Sequence, residues 1–156
     1  MRRFDKLITD TQIIEKILNE SSICRIGFSI DGEAYIVPVN FGYKDNKLFI
    51  HSAPVGSKID FIKKNNRVCF EMEFDHEIVT GKIACNWTTK YRSVIGYGDI
   101  FIVHEKSKKI EGLDIIMSKY GGPEKNAYAD KSLDEMVLLI IEIDTLTGKQ
   151  AGTWED

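Results

Sequence analysis

Residues 34–58, AYIVPVNFGYKDNKLFIHSAPVGSK, constrain this chain more than any other stretch. Residues 34–43 read as a strand, Lys44-Asp45-Asn46 as its turn, and residues 47–51 as a second strand. A small-residue loop then ends in Lys58 at the start of a helix. A lysine at that end opposes the positive pole of the helix dipole. The same spot suits an anion, because exposed backbone N–H groups and the dipole both favour negative charge. Gly56, Ser57 and Lys58 are therefore a candidate phosphate pocket. The two strands before them are a candidate wall for a phosphorylated cofactor.

Around this segment the chain reads as short strands with a few helices inserted. Thr9 and Gln12 suggest a capping box opening a helix over 10–20, with Ile13, Ile14, Ile17 and Leu18 on one face. Residues 23–30 predict a strand, and Asp31-Gly32 a tight hairpin. Residues 57–64 predict a helix, 67–74, 78–83 and 91–103 predict strands, and Gly96 and Gly98 bend the last of these. A helix over 107–120 is capped by Ser107 and stopped by Gly121-Gly122-Pro123. Residues 136–143 predict the last strand, and 145–156 a loop and tail. Strands joined by turns favour an antiparallel sheet, so the expected class is mainly β with flanking helices (α+β), a small barrel packed against helices.

Bulk properties narrow the function. At 156 residues one domain spanning 1–156 is expected, and 43% hydrophobic with 29% charged residues is ordinary for a soluble globular chain. A net charge of −3 gives no electrostatic reason to bind nucleic acid or an anionic membrane. The longest apolar run, residues 136–141, is strand-sized. The N-terminus MRRFDKLITD has no apolar core after its arginines and is no secretory signal. Cys24, Cys69 and Cys85 are an odd count without paired spacing, which fits a reducing, cytoplasmic compartment and buried free thiols. The three histidines and three cysteines lack metal-ligand spacing, so no metal site is expected.

Each motif has a plain and a functional reading. Pro38 belongs at a sheet edge, at a bulge, or where a ligand replaces a neighbouring strand. Pro38, Val39 and Asn40 are expected to lie across from Phe49, Ile50 and His51 in a hairpin. Ser52, Ser57 and Lys58 are a solvated helix start or a dianion site, and His51 a structural hydrogen-bonder or a catalyst. In CNWTTKYRSVIGYG, residues 85–98, Trp87, Tyr91 and Tyr97 fill a core or flank a flat ligand with a polar edge.

RIGF at 25–28, YIVPVNFGY at 35–43, LFIHSAPVGSK at 48–58, CNWTTKYRSVIGYG at 85–98 and TGKQAG at 147–152 together resemble the pyridoxamine 5′-phosphate oxidase-like split-barrel flavoproteins, and more closely their nitroimidazole-resistance-type branch. The resemblance implies a six-stranded antiparallel split β-barrel and a homodimer with FMN in two interface clefts. It implies that Val37, Pro38, Val39 and Asn40 line the flavin ring. His51, Ser52, Ala53, Ser57 and Lys58 would surround the ribityl chain and phosphate. Ser93 would add a contact, and Trp87 and Tyr91 would close the cleft from this chain or its partner. The oxidases of the family place an arginine pair near the phosphate, where this chain has Ser57 first, and a tryptophan and arginine near the C-terminus. Here the last arginine is Arg92, and Trp154 stands among acidic residues. Pyridoxamine phosphate oxidation is therefore disfavoured.

The leading expectation is an FMN-dependent reductase, using NADH or NADPH to reduce small electron-poor aromatics such as nitroimidazoles, with His51 as a polar group or proton donor. The alternatives are a non-catalytic flavin- or haem-binding sensor or store, with His51 or His104 as axial ligand, and a dimeric scaffold with a vestigial cleft.

Overall fold

A computed structural model describes residues 3–154. The N-terminal Met1 and Arg2 and the last two residues of the expected tail, Glu155 and Asp156, lie outside the described residues. In chain order the elements are β1 (Leu7–Ile8), α1 (Thr11–Glu20), β2 (Cys24–Ile30), β3 (Glu33–Val39), β4 (Gly42–Lys44), β5 (Lys47–Ser52), α2 (Ser57–Lys64), β6 (Arg67–Val79), β7 (Thr88–Val103), α3 (Lys106–Lys119), α4 (Asp130–Asp134) and β8 (Val137–Ala151). The strands form one antiparallel sheet in the order β3-β2-β6-β7-β8-β5-β4, with β1 also on β8. β1 and β4 are two and three residues long. The other six strands carry the sheet, so the architecture is the expected mainly-β one with flanking helices.

Sheet order and chain order together dictate the shape. β3 and β4 stand at opposite ends of the sheet, yet only Asn40 and Phe41 connect them. Such a link spans at most about 10 Å. The sheet must therefore curl until its end strands meet at one corner, while no strand pairing closes the gap. The core fills the curl with Ile26, Phe28, Leu48, Ile50, Phe70, Met72, Val94, Ile100, Leu139 and Ile141. Ile17 and Leu18 of α1 and Ile59 and Ile62 of α2 seal it. No helix among the described residues is long and apolar enough to cross a membrane.

Local chemistry explains most boundaries. Asp31 and Gly32 both take positive φ, 50° and 86°, as a two-residue hairpin of this hand requires. Asp45 and Asn46 do the same between β4 and β5. The cap of α1 is Asp10, not Thr9: its Oδ1 accepts from the Gln12 N–H at 2.8 Å. Glu105, not Ser107, precedes α3, and the Ser107 hydroxyl donates to the Glu105 carboxylate.

Four further expectations are corrected. The strand over 34–43 is two strands, because Phe41 turns into the core between them. β6 runs past a bulge between Phe74 and Glu77 to Val79, so 78–83 is no separate strand. Residues 145–151 are strand, pairing with β7 from Tyr97 back to Tyr91. Of the thiols only Cys24 is buried, its pKa pushed up to about 12 by desolvation, whereas Cys85 is exposed in a short turn. The helix α4 had no sequence signal strong enough to predict.

Candidate functional site

The hairpin expected between β3 and β5 does not exist: β3 pairs only with β2, and β5 pairs with β4 and β8. The two segments still face a common feature. β3 is the last strand of the sheet and has one free edge. β4 covers β5 only through Lys47, Leu48 and Phe49, so Ile50, His51 and Ser52 also have a free edge. The two free edges flank the split and are joined at Asn40–Phe41.

Register decides which backbone groups point into the split. In a two-residue hairpin the closing pair is hydrogen-bonded and the pairs alternate from there. Counting from Ile30–Glu33, the pairs Ile26–Val37 and Cys24–Val39 are hydrogen-bonded, while Arg25–Pro38 is not. Pro38 therefore turns its backbone outward, where a missing N–H costs the ladder nothing. The outward polar groups of this edge come from Ala34, Ile36 and Pro38. Val37 and Val39 turn their backbone to β2 and their side chains toward the core. The same count from Lys44–Lys47 turns the N–H and C=O of His51 toward the free edge of β5. The His51 side chain is exposed and makes no hydrogen bond among the described residues.

Beyond Ser52, the loop 53–56 leads into α2. The N–H groups of Ile59 and Asp60 both reach the Gly56 carbonyl, at 2.9 and 3.1 Å. Those of Ser57 and Lys58 have no acceptor within the helix. Gly56 takes φ 117°, which frees its position for the abrupt turn into the helix and supplies no capping side chain. Lys58 is half-buried, and desolvation holds its pKa below the ordinary lysine value. Among the described residues it has no carboxylate within ion-pair distance. Ser52 is buried, and its hydroxyl donates to the carbonyl of Ala53 at 3.0 Å. Phe61 of α2 stacks on Tyr35 of β3, centroids 5.2 Å apart, with Phe28 beside them. That stack packs the middle of α2 against β3 near its hairpin end.

Trp87 stands just before β7 and Tyr91 and Ser93 on it, three strands from β3 in sheet order. Ser93 pairs with Glu73 and Lys149, whereas His51 aligns through Leu138 with Val103. Counted from the other edge, Pro38 aligns through Arg25 and Glu71 with Ile95, two positions from Ser93, so the ten-position offset of the His51 row is the stagger of the curled sheet. Trp87 is 56% exposed, and its indole N–H donates to Gly81 O at 2.9 Å. With Ile78, Val79 and Ile83, also exposed, it gives the outer end of β6 and β7 an apolar side.

Sequence reasoning missed a cation cluster at that end. Trp154 lies between Lys90 and Arg92, at 4.2 and 4.3 Å from its ring, and Arg92 is buried with Nε donating to Gln150. The alternation of Lys90 and Arg92 on one strand face was the available signal. A cleft of about 770 Å³ lies elsewhere, between α1, β4 and α3. Its Asp114 accepts from Asn126 and Tyr128, and its Lys119 donates to two carbonyls of α1. None of the candidate cofactor or catalytic residues lines it.

The sequence model for the pyridoxamine 5′-phosphate oxidase family matches residues 10–150, nearly the whole chain. The chain belongs to that family. Among solved structures, a candidate 5-nitroimidazole antibiotic resistance protein from Bacteroides thetaiotaomicron is 31% identical, with a TM-score of 0.82. The match covers 92% of this chain and 86% of that one, which places the chain with the family's nitroimidazole-resistance-type branch. An FAD- and heme-binding protein from Mycobacterium smegmatis shares the fold at a TM-score of 0.84 and 18% identity, covering 97% of this chain and 76% of the other. A flavocytochrome from Azotobacter vinelandii does so at 0.80 and 14%, covering 100% and 75%. No curated protein matches the chain. The family's segments in this chain, 35–43 and 48–58, are the ones that form the two edges of the split and the start of α2.

Proposed function

We propose that this chain is an FMN-binding flavoprotein that reduces small electron-poor aromatics, nitroimidazoles among them, at the expense of a reduced nicotinamide. The observation that carries the reading is Lys58: half-buried, with no carboxylate partner among the described residues, at a helix start whose first N–H groups have no acceptor among them. That donor set suits a phosphate monoester. The Ser57 and Lys58 amides, the Lys58 ammonium and the Ser52 and Ser57 hydroxyls would hold it. The free edges at Ile36, Pro38, Asn40 and His51 would meet the polar rim of the ring, while Val37, Val39 and Ala53 shape the wall behind it. Flavin, when bound, supplies hydride acceptance and electron delivery. His51 would donate a proton close to the reacting face.

A second copy of the chain completes the reading. The outer sheet face exposes Ile36, Ile95, Tyr97 and Phe101 in neighbouring rows across Gly27 and Cys69. It carries both signs of charge, Arg25 with Glu71 and Glu73, and Arg67 with Asp144. An isologous dimer needs such a self-complementary patch. It would also let Trp87, Tyr91 and Ser93 of one copy reach the split of the other. Oxidation of pyridoxamine phosphate is not favoured: Arg92, the last arginine in the chain, is buried against Trp154 and Gln150.

Purified protein should carry flavin absorbance and oxidise a reduced nicotinamide when a nitroimidazole is added. A flavin-loaded protein inert toward every acceptor would remove the reductase and leave the cofactor site. A Soret band in place of flavin bands, or no chromophore under saturating FMN, would overturn the cofactor as well.

A further inference from the structure

The two edges of the split are joined through Asn40 and Phe41, so whatever fixes Phe41 fixes their separation. Phe41 is fully buried and belongs to neither strand, so its N–H has no ladder partner. It donates instead to the Tyr120 hydroxyl at 3.2 Å. The same hydroxyl gives its own proton to the carbonyl of Ser22 at 2.7 Å, on the segment that enters β2. One oxygen thus ties the link between the edges to the strand beside β3. Lys119, one residue earlier, lies 4.2 Å from the centre of the Phe41 ring and donates to the carbonyls of Leu18 and Asn19.

Tyr120 is itself held firmly. The Gly121 N–H reaches Ser118 O and the Gly122 N–H reaches Met117 O, with Gly121 at φ 85°, which closes α3 in a left-handed cap. The next link residue is pinned by the same helix. A Cβ on Gly42 would lie 2.7 Å from Ile115 Cγ2 and 2.9 Å from the backbone of Ile115 and Ile116. Helix α3 therefore meets the link at two consecutive positions, by a hydrogen bond at Phe41 and by direct backbone contact at Gly42.

We propose that Tyr120 is a positioning residue for the flavin site, its hydroxyl setting the separation of the β3 and β5 edges between which the ring would lie. The proposal rests on the flavin reading for its consequence, although not for its geometry. Tyr128 supplies a matched control: its hydroxyl also holds α3, through Asp114 at 2.9 Å, but touches nothing at the split.

The test compares Tyr120→Phe with Tyr128→Phe in the full chain. Without ligand, amide hydrogen exchange should quicken in Tyr120→Phe at residues 37–42 and 50–53, and stay at the parent rate there in Tyr128→Phe. With FMN, Tyr120→Phe should bind about tenfold more weakly and shift the bound-flavin absorption bands, and Tyr128→Phe should do neither. Equal affinity, spectra and exchange in Tyr120→Phe and the parent would overturn the proposal. So would equal loss in both variants, because general stability would then account for it. If the parent takes up no FMN the flavin reading fails by itself, and exchange still decides the tie: unchanged rates at both edges sink it.

Discussion

Lys58 and Lys119 are both half-buried lysines, and their partners make them opposites. Lys119 has carbonyls and an aromatic ring to meet it; Lys58 has no anion among the described residues. Lys58→Ala should weaken FMN binding by about 1.5–3 kcal/mol, the scale of a charge-assisted hydrogen bond. Titration of apo-protein with FMN checks it, and equal affinity in parent and variant refutes it. Because burial holds the Lys58 pKa down, a bound phosphate should pull it back up. Affinity should then stay flat at neutral pH and fall once pH rises through the lowered pKa of the free protein. Lys119 makes a separate prediction about stability. Burial pushes its pKa down to about 8, against the opposing charge of Glu20, while the unfolded chain keeps the ordinary 10.5. Between those values the unfolded state holds more protons, so stability should rise with pH through that window. Melting temperatures of parent and Lys119→Met at pH values on either side of the window test this. A difference between them that does not change with pH would count against it.

At the scale of elements, two strand glycines separate what a sequence can and cannot say. Opposite Tyr97 and Gly98 of β7 the register skips Asp144, a bulge in β8, and a Cβ on Gly98 would lie 2.2 Å from the carbonyl oxygen of Glu142 in β8. In β2 a Cβ on Gly27 would meet nothing nearer than 3.6 Å. Gly98→Ala should cost about 2 kcal/mol or more, because the obstacle is backbone, whereas Gly27→Ala should stay within about 1 kcal/mol. Denaturant unfolding of the two variants would show whether the order holds. The Asp31-Gly32 hairpin and the span of α2 were legible from sequence, because each depends on neighbouring residues. The partner of each strand was not legible. Residues 37–40 and 49–51 are close in sequence and looked paired, but β5 gains more by lying against Leu138, Leu139 and Ile141 of β8. Residues 145–151 looked like a tail because Gly148 and alternating threonines weaken a strand signal. In the structure Gly148 gives Ile8 and Ile14 room to pack, with a would-be Cβ only 2.9 Å from Ile8.

For the whole molecule, the same register that makes a split also staggers its two edges. The proposed phosphate side and ring edges are drawn from β3, β5 and the start of α2. Ser93 lies two positions along β7 from the row of Pro38 and ten from the row of His51. Sequence order lists them together, and the sheet order sets β7 three strands from β3. The proposed dimer packs across the outer face. That face should then be indispensable for cofactor retention and not merely for assembly. Ile95 is 44% exposed near the middle of it, between the Glu71 and Thr147 rows, with its side chain outside the core. Ile95→Asp places a charge there without disturbing the interior, so the monomer should still fold. Sedimentation should show that variant as a monomer at concentrations where the parent is a dimer, and gel filtration should strip it of FMN that the parent keeps. A monomeric Ile95→Asp that retained FMN as tightly as the parent would mean that one chain holds the flavin alone, and that Trp87, Tyr91 and Ser93 serve some other purpose.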